Sequence, residues 1–177
     1  MRDKGTLYFF TGLAGAGKTT VGSLFYERLL ARNPEAVLRD GDRIRTAVGH
    51  STADGTVVQE DRYTTEARKA GAREMFRQCK ELTDQGRDVV VCSISMYREI
   101  RDWNRANIEK YKEIYVKVTR ETLYRRDQKK LYSSGAKNVV GVDLPYDEPE
   151  NPDIVVQNDG QETPEAIVDR LEKLLLD

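Results

Sequence analysis

Two cysteines, one histidine, one tryptophan and a net charge of only −1 leave this chain poor in several things that would announce a function. Cys79 and Cys92 are too few, in segments too regular, for a disulfide framework, and each reads as a small buried hydrophobe. The lone His50 sits in the polar stretch VGHSTADG and reads as solvent-exposed, without a ligand or catalytic role. With 29 Lys plus Arg set against 30 Asp plus Glu, no bulk field pulls the chain toward nucleic acid or an anionic membrane. No apolar run approaches the roughly 20 residues of a membrane span. The start MRDKGTLYFF has neither the apolar core nor the cleavage site of a signal peptide, so a cytoplasmic protein is expected. Internal repeats, domain linkers and low-complexity tracts are also missing, and 177 residues with 38% hydrophobic content suit one domain over 1–177.

What is present is an alternation of short apolar strands and longer helical stretches. TLYFFT (6–11), AVLRD (36–40), DVVVCSI (88–94), EIYVKV (113–118) and DIVVQ (153–157) are nearly continuous in apolar or β-branched residues, the mark of strands buried on both faces. Helices are expected at about 18–32, 59–86, 98–111 and 120–131, and a last one opens at Thr163-Pro164-Glu165, where Thr caps, Pro fits the first turn and Glu meets the positive end of the dipole. This predicts an α/β fold with a five-stranded parallel sheet and helices on both faces. Residues 132–152, YSSGAKNVVGVDLPYDEPENP, carry glycines and prolines without a period; a loop that long inside a compact chain predicts a functional loop, a lid over about 130–152.

Gly12-Leu13-Ala14-Gly15-Ala16-Gly17-Lys18-Thr19 matches G-x-x-x-x-G-K-[ST], with a strand before it and a helix pattern after it. Glycines there let backbone N–H groups approach phosphate oxygens, while the new helix adds its positive end. Lys18 is placed to reach the β- and γ-phosphates of ATP and the Thr19 hydroxyl to bind Mg²⁺, with Thr20 counted on the same donor side. The alternative, that the glycines only make a tight turn, leaves the lysine, hydroxyl and flanks unexplained. A P-loop alone leaves kinase, GTPase and motor ATPase open, and the guanine-reading Asn-Lys-x-Asp is missing.

Past the second strand, DGDRIR brings Asp40, Asp42 and Arg45 to a strand's carboxyl end, where α/β proteins bind ligands. Asp42 is the choice for taking an acceptor hydroxyl's proton or holding Mg²⁺ through water; Asp40 lies nearer the strand, and plain turn chemistry accounts for it as well. The third strand runs into SISMYREIRDWNR, placing Ser95, Arg98, Arg101 and Arg105 just past its end, where guanidiniums suit phosphate or sulfate oxygens. Solvated helix positions serve Arg98 and Arg105 equally well. In LYRRDQKKLY, one of Arg125 and Arg126 is expected to stack on the ATP adenine or touch its phosphates; Arg126 is the choice, since Arg125 could pair with Asp127 or Glu121.

GLAGAGKTT, RDGDRIR, QEDR, SISMYREIR, RRDQKKLY and GVDLPYDEPENPD stand in the order and approximate spacing of the adenylyl-sulfate kinase family, over about residues 6–158. The chain resembles that family, which implies a P-loop kinase fold and an enzyme that uses MgATP to phosphorylate the 3′-hydroxyl of adenylyl sulfate. The resemblance places Asp42, Arg45 and Arg62 where the family holds its acceptor nucleotide. It aligns Ile94 and Ser95 with an Ile-Ser of the same pocket, whose serine is sometimes assigned a phosphorylated intermediate, and Lys129 with the lysine of Asp-x-Lys-Gly-Leu-Tyr. Departures cluster at the acceptor. Two phenylalanines that sandwich the adenine in the family are Val57 and Val139 here, and Met96, Thr65 and Lys130 replace a proline, an asparagine and a glycine. Stacking on each ring contributes around 1 kcal/mol or more. Hence a related activity on the same fold, cytidine diphosphoramidate kinase of capsule modification, is the alternative, with a non-catalytic nucleotide switch as a third class. The expected partner is a small-molecule nucleotide acceptor, with no nucleic acid or membrane, and a homodimer is the oligomer considered.

Overall fold

In the computed structural model, residues 2–41, 64–127 and 144–177 are described, with 130, 132, 133, 135 and 139–142 between them. Five strands, β1 (Thr6–Thr11), β2 (Val37–Asp40), β3 (Val89–Cys92), β4 (Lys110–Lys117) and β5 (Ile154–Gln157), form one parallel sheet in the order β2-β3-β1-β4-β5. The described helices are α1 (Lys18–Arg32), α2 (Thr65–Asp84), α3 (Arg98–Asn107), α4 (Arg120–Arg126) and α5 (Pro164–Leu175).

The first strand shows why its apolar run is continuous. Tyr8 and Phe10 point to one face, where α1 (Val21, Phe25, Leu29) and α5 (Ile167, Val168, Leu171) cover them. Leu7 and Phe9 point to the other, under Ala72, Phe76 and Cys79 of α2 and Ile100 of α3. The two-residue period of a strand therefore feeds two cores. Phe9 meets Phe76 edge-on at 4.9 Å, and Tyr8 meets Phe25 at 5.0 Å, in the arrangement that ring quadrupoles favour. Gly22, within α1, would with a Cβ lie 2.2 Å from Cys92 Sγ. A glycine costs a helix interior about 1 kcal/mol relative to alanine, and here it lets α1 press onto β3.

Both free cysteines are buried, as expected, and burial pushes the Cys79 thiol up to about 12. Threonines cap three helices: Thr64, Thr119 and Thr163 accept from the backbone N–H of Ala67, Thr122 and Ala166. Several boundaries differ from the sequence expectation: the helix expected over 59–86 begins after its cap at Thr64 and ends at Asp84, the strand expected over 113–118 already starts at Lys110, and two later helices stop early. The third of the expected helices, 98–111, stops at Asn107, because Ile108 is buried and Lys110 already pairs with Thr6 in the β4–β1 ladder. The fourth, 120–131, stops at Arg126, where Asp127 takes a positive φ of 27°. No helix among the described residues is long and apolar enough to cross a membrane.

Candidate active site

At the carboxyl end of β1 the chain turns through Gly12–Gly17 into α1, and the carbonyls of residues 13 to 17 each accept a hydrogen bond from the protein. Leu13 O accepts from Ala16 N at 3.1 Å and from Lys18 Nζ at 3.1 Å. Tyr132 Oη donates to Ala14 O at 2.5 Å, Arg126 Nη1 to Gly15 O at 3.4 Å, Asn158 Nδ2 to Ala16 O at 2.8 Å, and Val21 N to Gly17 O at 3.0 Å. Gly15 and Gly17 hold φ at 83° and 97°, a region that favours glycine. A side chain at Gly17 would also meet Asn158 Nδ2 at 2.5 Å. Carbonyls turned outward leave N–H groups for an anion on the concave side, at the N-terminus of α1.

Thr19 Oγ1 donates to Asp40 Oδ2 at 3.0 Å. The carboxylate of Asp40, expected from the sequence to bind the acceptor or cap the turn, stands on the hydroxyl of the P-loop threonine. Across the sheet end, Thr11 Oγ1 bonds Ile94 O at 2.5 Å, and Ser93 N bonds Phe10 O at 3.1 Å, so the segment after β3 is fixed beside the P-loop. Ser95 follows with φ at 35°, a conformation uncommon for a residue with a side chain, and its hydroxyl shares a 2.7 Å hydrogen bond with Ser93 Oγ. Ile94, Met96, Tyr115, Val139 and Val140 are buried here. All but Val139 belong to one apolar cluster that Leu13, Ala14, Leu144 and Tyr146 complete. It joins the P-loop to the 139–146 segment at the mouth of the site.

The arginines past β3 do something other than what their position suggested. Arg101 is 5% exposed; its Nη2 donates to Glu148 O at 3.3 Å and its Nε lies 3.9 Å from Glu113 Oε1. Arg98 pairs with Glu150, and Arg105 donates to Asn151 O at 2.8 Å and lies 3.4 Å from Asp153. Asp147 caps α3 from outside, accepting from Arg98 N at 2.9 Å, while its own N–H bonds Met96 O at 2.7 Å. One row of arginines at i, i+3 and i+7 thus holds residues 147–153 along α3. Arg101, expected from the sequence among the acceptor ligands, is held inside the fold by Glu148 and Glu113. Glu113, 2% exposed, receives Tyr111 Oη at 2.9 Å, and burial raises its carboxyl above the ordinary range against the pull of that bond and of Arg105 and Arg101.

Asp42, Arg45, Val57, Arg62 and Lys129 lie outside the described residues. Tyr132, Asn158, Thr11 and Glu113 enter the site or its support without having been singled out in the sequence. Only Tyr132 had a pointer, its place in the KKLY stretch.

A P-loop at the end of the central strand of a five-stranded parallel sheet defines a P-loop nucleotide-binding protein. The model of the adenylylsulphate kinase family matches residues 4–157, and the chain belongs to that family. It is 36% identical over 179 residues to a cytidine diphosphoramidate kinase of Campylobacter jejuni, covering 99% of both chains, and 35% identical to an adenylyl-sulfate kinase of Picosynechococcus, covering 98% of this chain and 96% of the relative. The Mycobacterium tuberculosis adenylyl-sulfate kinase solved with AMPPNP and adenylyl sulfate superposes with a TM-score of 0.81, at 26% identity, over 99% of both chains. The chain is an ATP-dependent nucleotide kinase on the P-loop kinase fold.

Proposed function

We propose that this kinase transfers the γ-phosphoryl group of MgATP to the 3′-hydroxyl of adenylyl sulfate, as a cytoplasmic enzyme. The supporting observation is the conjunction of an inward-facing P-loop with a family match that spans the sheet and the segment beyond it. Lys18 and the loop hold the donor phosphates. Thr19 and Asp40, 3.0 Å apart, offer a hydroxyl and a carboxylate, a hard oxygen pair suited to Mg²⁺, which keeps water and phosphate as its other ligands. Bound there, Mg²⁺ would supply charge neutralisation on the phosphates. Asp42 orients or deprotonates the acceptor hydroxyl, Arg45, Arg62 and Lys129 bind its anionic groups, and Ile94 and Ser95 line its pocket. In-line transfer needs no covalent step at Ser95.

A second reading, cytidine diphosphoramidate as acceptor, is favoured by the aliphatic residues at 57 and 139 and by the likeness to the Campylobacter enzyme. A pyrimidine fits between valines without the two rings that an adenine stack uses.

ADP release with MgATP decides between them, using adenylyl sulfate, cytidine diphosphoramidate and plain nucleoside monophosphates. Turnover of adenylyl sulfate at micromolar concentration is the expected result. Turnover of the cytidine compound alone would transfer the assignment to the second reading, and Val57→Phe with Val139→Phe should then depress that reaction and raise activity on adenylyl sulfate.

A further inference from the structure

We propose that Tyr132, Arg126 and Asn158 are positioning residues that form an outer clamp on the P-loop and set its affinity for a triphosphate chain. The inference rests on the reading of residues 12–19 as a phosphate cradle. A trans peptide points its C=O and N–H in opposite directions. Holding Ala14 O and Ala16 O on the outside therefore turns Gly15 N–H and Gly17 N–H to the concave side, while Ala16 N–H is engaged inside the loop by Leu13 O. Three successive carbonyls, 14 to 16, are each taken by a side chain from a different stretch of chain. Gly17 completes the sequence only because it leaves room for Asn158.

The clamp is itself braced. Arg126 Nη2 donates to Asn158 O at 2.6 Å, so the end of α4 and the residue after β5 act on the loop as one piece. Tyr132 is held by Asp127 Oδ1, which accepts from Tyr132 N at 3.0 Å, and by its ring against Tyr124 at 5.4 Å. Glycine-rich backbone is free to rotate peptides inward when nothing holds it. A loop held in the binding geometry beforehand does not lose that freedom again when ligand arrives. None of the three side chains needs to touch the nucleotide for this effect, and Arg126, expected from the sequence at the adenine or the phosphates of ATP, acts here through the loop.

The test uses the full chain without any acceptor. MgATP and magnesium tripolyphosphate, which has no adenine, are titrated calorimetrically into the unmodified protein, Tyr132→Phe and Arg126→Met, with thermal melts of each ligand-free protein. Losing the one clamp hydrogen bond of Tyr132 should weaken both ligands by the same factor, about three- to tenfold, and Arg126→Met, which removes the bond to Gly15 O and the brace on Asn158 O, should weaken both equally by at least as much, with each ligand-free protein still melting cooperatively. Weakening of ATP alone would overturn the clamp and return these residues to the adenine; unchanged affinity for both ligands would overturn it outright. If the unmodified protein binds neither ligand, the phosphate-cradle reading itself fails, a result distinct from failure of the clamp.

Discussion

Lys18 is buried and lies back on its own loop, Nζ on Leu13 O, within reach of where the P-loop would hold phosphate. Replacing it with alanine removes the single ammonium in the loop without touching the sheet. Lys18→Ala should lower turnover by at least about 10²–10³-fold, the effect of removing one transition-state donor, with a melt that remains cooperative; ADP release and circular dichroism measure the two. Near-normal turnover would remove the P-loop from the active site. The P-loop's residues were legible in the sequence because their spacing is imposed by the phosphate and admits few substitutes. Tyr132 and Asn158 were not, since a donor to a backbone carbonyl leaves no spacing rule in the chain. The protein partner of Arg101 was hidden for a related reason: an arginine beyond a strand end looks the same in sequence whether its partner is a ligand's anion or the carbonyl of Glu148.

Among the elements, β1 and α1 were legible to their ends, because a buried strand followed by a P-loop leaves little choice of boundary. The 147–153 segment was not: it has no period, and its order comes from partners on α3 and β4. Tyr115 Oη donates to Glu148 at 3.0 Å, and Asp153 Oδ2 accepts from Glu113 N at 2.7 Å. Glu113, at the centre of this seam, makes a prediction with a definite sign. Its raised carboxyl binds a proton more tightly folded than unfolded, so its contribution to stability is complete below the ordinary glutamate range, near pH 4.3, and is lost as pH rises through the folded value. Glu113→Gln does not titrate. Urea unfolding from about pH 4 to pH 7 should therefore show the unmodified protein losing stability relative to the variant, by about 1.4 kcal/mol for every pH unit by which the titration is displaced. A gap that stays constant or moves in favour of the unmodified protein would mean that Arg101 and Arg105 outweigh burial.

At the scale of the whole molecule, the strand that is first in sequence is central in space. Its neighbours are β3 and β4; Leu7 pairs with Val89 and Thr6 with Lys110. Neither neighbour exists when Thr11 leaves the ribosome. At 5–20 residues per second, the stretch from Thr11 to Cys92 takes roughly 4–16 s to synthesise, and until then an apolar strand with two open edges, followed by the glycine-rich loop, waits without its sheet; the edge that β4 covers stays open until Lys117. During manufacture the segment that later anchors ATP is thus the part most exposed to aggregation and the natural handhold for a chaperone. Ribosome-arrested chains with residues 1–87 outside the tunnel should be cut by protease within TLYFF, and those with residues 1–117 outside should be protected there; early protection would mean that β1 finds a temporary partner among the first 87 residues.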